Sequence, residues 1–309
     1  MNNSRVIKAH LCMLIAEIIW GLMSPIGKDA MQHGISGWSM VTFRVSGAAV
    51  LFWTASLFAK YEHVSLKDFF IFGAAALFGV TCNQCLFTLG LSYTSPVNAS
   101  VITTTMPIFA MILAFFILKE PITLKKAGGV AIGCAGAIIL ILTSLAAVNS
   151  KVGNVQGDVM VLGAQLSFAL YLSLFNKFIK KYSVFTINKW MFFWATIYVT
   201  PFAFNDIAAL DFASVETTTW LEIGFVVGCG TFIAYLLMMI GQHTLRPSVV
   251  SVYNYVQPIV AVVVSVLTGI GTFTLYQGIA IILVFTGVWM VIKSKSRKDM
   301  EAEKQAKAI

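Results

Sequence analysis

The chain has 309 residues, of which 58% are hydrophobic and 11% charged, with a mean hydropathy of +0.85. Soluble domains use roughly 45–50% apolar and 25% charged residues, so this composition excludes a soluble domain and points to a polytopic membrane protein. The net charge of +8 is no argument for a nucleic-acid partner, because the basic residues follow membrane topology.

A hydrocarbon core about 30 Å thick takes ~20 mainly apolar helical residues, since unpaired backbone groups cannot face lipid. Hydropathy predicts ten such spans: Ala9–Met31, Trp38–Ala59, Asp68–Leu91, Pro96–Leu118, Lys126–Ser144, Asp158–Phe178, Phe185–Phe204, Thr218–Gly241, Pro247–Gly269 and Thr274–Ile292. With the N-terminus inside, the lysines and arginines of the termini and of every second loop fall on the inner face. Only Lys28 and Lys151 fall outside, and Arg44 lies within a span. The positive-inside rule therefore places both termini in the cytoplasm. The first span is too long for a signal-peptide core and is read as a retained helix.

The first span carries Glu17, then Trp20 and Gly21. An acid at mid-helix costs about 2.5–3.5 kcal/mol on insertion scales, so Glu17 is expected to face a cavity or a partner, as a protonatable group, a substrate contact or a packed neutral glutamate. Pro25 is expected to loosen the outer third of this helix. Arg44, in the second span, needs Glu17, backbone carbonyls, an anionic substrate group or the interface as its partner. Asn83 and Gln84, in the third span, are interhelical glue or a polar lining. In the fourth span Asn98, Ser100 and Thr103–Thr105 precede Pro107, whose missing N–H the hydroxyls can offset unless they line a cavity. In the fifth, Gly129 and Gly133 form a small-residue face suited to packing within the protomer or across a homodimer.

The second half echoes the first. At a constant offset of 151, Gly73, Gly79, Gly90, Pro96, Ser100, Pro107 and Ala110 meet Gly224, Gly230, Gly241, Pro247, Ser251, Pro258 and Ala261. An offset of 148 sets Gln165 against Glu17 and Phe168 against Trp20; at 151, Tyr235 falls opposite Gln84 and Tyr253 opposite Ile102, with Asn254 beside it. Five spans is an odd number, so the halves are expected to insert in opposite orientation, a plan that suits alternating access. The expected organisation is a first five-helix repeat over 1–145, an outer linker over 146–157, a second repeat over 158–293 and a basic tail over 294–309. Glu17, Trp20, Arg44, Asn83, Gln84, Asn98, Thr103, Tyr235, Tyr253 and Asn254 are the candidate substrate-binding residues, with Glu17 the candidate for proton coupling.

Trp20-Gly21 followed by Lys28, Arg44 in the second span, the block TSPVNASVITTTMPIFAMILAFFILKEPIT and its echo LRPSVVSVYNYVQPIVAVV resemble the EamA-type transporters of the drug/metabolite transporter superfamily. The resemblance covers about residues 8–293. It implies an all-α integral membrane protein of ten transmembrane helices in two inverted repeats, located in a bacterial inner membrane. A central cavity bounded by spans one, three, four, six, eight and nine and efflux of amino acids or other small metabolites are also implied. The acidic residue that often follows the fourth and ninth spans of relatives is present as Glu120 and absent at Gly271.

The sequence is thus read as a secondary transporter of a small-molecule substrate in a lipid environment, with a lipid-precursor flippase as the alternative. No nucleotide-binding glycine loop is present, so ATP does not drive it directly, and coupling would be to a proton or other ion. No catalytic constellation appears, so no enzyme is expected. Neither a cofactor nor a metal is called for: Cys82 and Cys85 have metal spacing but lack a second Cys/His pair. The topology predicts that a fluorescent protein fused after Ile309 is bright and alkaline phosphatase there inactive, and that the reverse holds for both reporters inserted at Lys151. Activity of the phosphatase at the C-terminus would overturn the orientation.

Overall fold

A computed structural model describes residues 3–94, 99, 102–147, 155–267, 275–295, 299–300 and 305. Among them the chain forms α1 (Asn3–Gln32), α2 (Gly37–Ser56), α3 (Leu66–Tyr93), α4 (Met106–Leu118), α5 (Leu124–Ala147), α6 (Val155–Leu174), α7 (Val184–Ala209), α8 (Thr217–Thr244) and α10 (Leu275–Ile292). Between the last two lies α9, made of Pro247–Val252, a 3-10 turn Tyr253–Tyr255 and Val256–Leu267. Five of these, α1, α3, α6, α8 and α10, are long and apolar enough to cross a membrane; α4 is apolar but shorter.

Local sequence accounts for most helix ends. Ser36, Ser65 and Ser183 sit in extended conformation just before α2, α3 and α7, each accepting from the backbone N–H three residues on. Two prolines start helices instead of bending them. Pro107 lies in the first turn of α4 and Pro247 opens α9, positions where the missing N–H has no intrahelical partner to lose. The fourth span is therefore broken ahead of Pro107, at Thr104–Thr105, with the Thr105 hydroxyl donating to the Ile102 carbonyl at 2.7 Å. Pro25, by contrast, leaves α1 helical from end to end. The loosening expected there does not occur, because helices packed around α1 hold the chain in helical register despite the lost bond.

Two interruptions carry no obvious polar or proline signal. Leu77–Cys82 within α3 and Gly228–Ile233 within α8 are π-helical turns, and they stand at the same offset of 151 as the glycines Gly79 and Gly230 inside them. A π-turn inserts one residue and releases backbone carbonyls from the regular ladder, and such turns gather at functional sites.

Packing runs between the halves. The most extensive interfaces are α5 on α10 and α2 on α7, followed by α6 on the second part of α3 and α1 on the second part of α8. Gly129 and Gly133 are absorbed here: a methyl added to Gly129 would lie 2.8 Å from the Gly287 carbonyl oxygen, and one on Gly287 would lie 2.5 Å from that of Gly129 and 2.6 Å from the Gly133 nitrogen. The small-residue face is thus spent on α10 inside the protomer and supplies no argument for a homodimer.

Polar ties close both ends of the bundle. At one end Lys28 donates to the carbonyls of Leu91, Ser92 and Thr94 at 2.7, 2.9 and 3.3 Å, and Ser36 donates to Asp206. At the other, Asp68 accepts from Lys181 and from Tyr182, and Glu120, buried, accepts from Lys126 at 2.8 Å and Ser248 at 2.7 Å. The hydrogen bond to Asp68 holds the Lys181 ammonium above the ordinary lysine range. A Gly287→Val substitution is expected to lower stability by about 1–3 kcal/mol through overpacking against backbone. Gly224→Ala, with nothing within 4 Å of the new methyl, is expected to leave the melting temperature in detergent unchanged.

Candidate substrate site

Between the halves lies a cavity of about 60 Å³, lined from α1 by Trp20, Met23 and Ser24, from α2 by Arg44, from α3 by Asn83, Gln84 and Phe87, and ahead of α4 by Thr103. Gln165 and Phe168 of α6, Tyr235 of α8 and Asn254 and Gln257 of α9 complete the wall. Seven of the ten sequence candidates meet here: Trp20, Arg44, Asn83, Gln84, Thr103, Tyr235 and Asn254. Asn98 lies outside the described residues. Glu17 and Tyr253 are not on the lining.

The π-turns orient the aromatic part of the wall. Trp20 Nε1 donates to the Gly230 carbonyl at 2.9 Å, and the Tyr235 hydroxyl to the Gly79 carbonyl at 3.3 Å. Each half thus offers a released carbonyl to an aromatic side chain of the cavity. The two rings meet edge to face, 5.8 Å apart at 79°, a favoured geometry for aromatic pairs. Gly79 and Gly230 leave room for other neighbours of the turns, since an added methyl would come within 2.7 Å of the Tyr171 ring or 2.6 Å of Met23 Sδ.

Glu17 sits one layer behind the cavity, fully buried and reached through two lining amides. Gln257 Nε2 donates to Glu17 Oε2 at 2.7 Å. Asn254, with its amide nitrogen turned toward the carboxylate as its surroundings require, donates to Oε1 at 2.9 Å and Oε2 at 3.2 Å. Arg44 is buried apart from it, donating through Nε to Thr231 at 3.2 Å and through Nη1 to Thr88 at 3.0 Å. The two charged groups form no ion pair among the described residues. Each is instead held by neutral groups, Glu17 by α9 and Arg44 by α3 and α8.

Tyr253 points to another place. Its hydroxyl is 2.7 Å from His10 Nδ1, tying the 3-10 turn of α9 to the first part of α1. The tight 3-10 turn sends adjacent side chains in different directions, so Asn254 reaches the cavity and Tyr253 does not. Asn83 also has a packing role, donating to the Ala164 carbonyl of α6 at 3.0 Å. Gln257 was not singled out by sequence reasoning, although it stands one turn after Asn254 and directly before Pro258, where a polar side chain in an apolar run is a usable signal.

The pattern of the EamA-like transporter family matches this chain twice, over residues 7–142 and 155–293. The chain belongs to that family. An uncharacterized transporter of Bacillus subtilis strain 168, YetK, is 20% identical over 302 residues, spanning 97% of this chain and 92% of its own length. The Arabidopsis thaliana protein WALLS ARE THIN 1 is 25% identical over 341 residues, covering 97% of this chain and 87% of its own. A crystal structure 16% identical to this chain superposes with a TM-score of 0.70 over 93% of this chain and 97% of the other, a likeness of fold. The protein is accordingly a multi-pass membrane transporter of the EamA type, with a small-molecule substrate and membrane lipid around it.

Removing a donor from a buried acceptor costs about 1–3 kcal/mol, whereas replacing both partners by apolar groups is close to neutral. Gln257→Leu is therefore expected to lower the melting temperature, and Glu17→Leu in the same chain to restore part of the loss. Tyr253→Phe is expected to act independently of Glu17 in the same double-mutant comparison.

Proposed function

We propose that this EamA transporter exports a small metabolite across a bacterial inner membrane by alternating access, without ATP, with both termini in the cytoplasm. The observation that carries the proposal is one polar cavity walled by both halves of an otherwise apolar bundle. Ten membrane-spanning helices arranged as two inverted repeats, over 1–145 and 158–293, would let one half rock against the other around that fixed site. The equivalent placement of the π-turns and the pairing of interfaces across the halves support that arrangement.

Small-molecule sites usually enclose about 300–1,000 Å³, and the cavity here is about 60 Å³. The conformation is contracted around the site, so a substrate needs the walls to part toward one side of the membrane or the other. Trp20 and Tyr235, each tied to the opposite half, are the side chains that such a movement separates.

Coupling is assigned to Glu17. It is the one carboxylate among the described residues connected to the cavity through lining amides, and no cation neutralises it. A group so placed can carry a proton across when the cavity changes sides.

Comparison of extracellular metabolites with and without overexpression, followed by transport of the enriched compound into proteoliposomes, tests the function. Wild-type flux is expected to vary with pH, and Glu17→Gln to abolish that variation while leaving a residual flux. Flux in the variant that still follows pH removes Glu17 from the coupling step.

A further inference from the structure

Arg44 has more hydrogen-bonding capacity than the protein uses. A guanidinium carries five N–H donors, and Arg44 commits Nε to Thr231 and Nη1 to Thr88, both neutral hydroxyls. Nη2 makes no hydrogen bond among the described residues. The nearest candidate counter-charge, Glu17, is engaged by Gln257 and Asn254. The side chain is 4% exposed, and what exposure it has opens on the cavity it lines. A buried charge is stable only when paired or fully hydrogen-bonded, and this one is neither.

A second observation lies on the same wall. Gln84 is 1% exposed and lines the cavity, where its amide faces the Tyr235 hydroxyl, which itself donates to the Gly79 carbonyl. An amide with a second N–H to offer, on the same wall as an uncompensated guanidinium, is the donor set that a planar oxyanion satisfies, with charge-assisted bonds from the arginine and one N–H from the amide. Trp20, Phe87 and Phe168 give the wall aromatic faces, set among further polar side chains such as Asn83, Gln165 and Asn254.

We propose that Arg44, assisted by Gln84, is the specificity-determining residue of this transporter and that its substrate carries a carboxylate on an apolar or aromatic body. This rests on the transport reading of the same cavity. Binding supplies the missing counter-charge, so the loaded site has a neutral Arg44–carboxylate pair where the empty site has a bare cation. Neutral amides leave Arg44 unpaired and ammonium groups repel it, so neither is accepted. Lysine would not replace it, because a point ammonium cannot keep the two hydroxyl bonds and present a planar fork to the carboxylate at once.

The test uses three isosteric probes, phenylacetate, phenylacetamide and phenethylamine, added to the purified full-length protein while its thermal unfolding is followed. Phenylacetate is expected to raise the melting temperature, and the other two to need at least about tenfold higher concentration for the same shift. Equal stabilisation by the amide or the amine overturns the proposal, and so does absence of any shift with phenylacetate. That comparison is made in the wild-type protein and does not depend on a variant that folds poorly. Arg44→Gln is expected to erase the preference, and Gln84→Leu to weaken it several-fold; a preference unchanged in Arg44→Gln overturns the assignment. Counterflow of labelled phenylacetate in proteoliposomes separates the two readings. Anion-selective binding without counterflow fails the transport reading and upholds the anion site, whereas counterflow indifferent to charge fails the anion site alone.

Discussion

Two buried ionisable side chains, each held by neutral groups, set the terms for the rest of this structure. A carboxylate and a guanidinium inside an apolar bundle could cancel each other, and an ion pair would be the least costly way to hide both. Here Glu17 is taken by the amides of Asn254 and Gln257, while Arg44 is taken by the hydroxyls of Thr88 and Thr231. Keeping the two apart requires polar side chains from α3, α8 and α9 to reach the same region, which forces those helices together around a small polar cavity. The bundle's centre is therefore wet in character although its surroundings are apolar.

Backbone geometry does the positioning. The π-turns of α3 and α8 each present a carbonyl sideways, and each carbonyl fixes an aromatic ring of the cavity wall. Glycine at the third position of each turn lets the neighbouring side chain close on the turn without a methyl in the way. A rigid pair of rings is thereby held by bonds that cross between the halves. Away from the centre, the Ser36–Asp206 and Ser248–Glu120 hydrogen bonds and the glycine contact of α5 with α10 bind the halves through groups that do not line the cavity.

Much of the site was legible in the residues. Glu17, Arg44, Gln84 and Asn83 stand out because polar groups in apolar runs are costly and so have a reason to be there. The offset of 151 located Tyr235 and Asn254 by their correspondence to polar positions in the first half. Tyr253, opposite the apolar Ile102, was drawn in by its neighbour Asn254, and a local 3-10 turn sends Asn254 to the cavity and Tyr253 to His10. Whether Glu17 and Arg44 pair was likewise open, because pairing depends on helix rotation and not on depth in the span.

By itself, then, the sequence determined that the chain is a helical membrane protein, that its halves echo one another and that Glu17 and Arg44 stand inside apolar runs. These follow from composition and periodicity, which act through local hydrophobicity and chain geometry. The tertiary structure decided which face each polar group presents, that the small-residue face of α5 is spent on α10, that Pro107 begins a helix, and that α3 and α8 carry π-turns. Those outcomes depend on contacts between residues more than a hundred positions apart, such as Trp20 with Gly230 and Glu17 with Gln257. No local pattern encodes such a contact, because the energy that favours it is shared between two helices and exists only once both are packed.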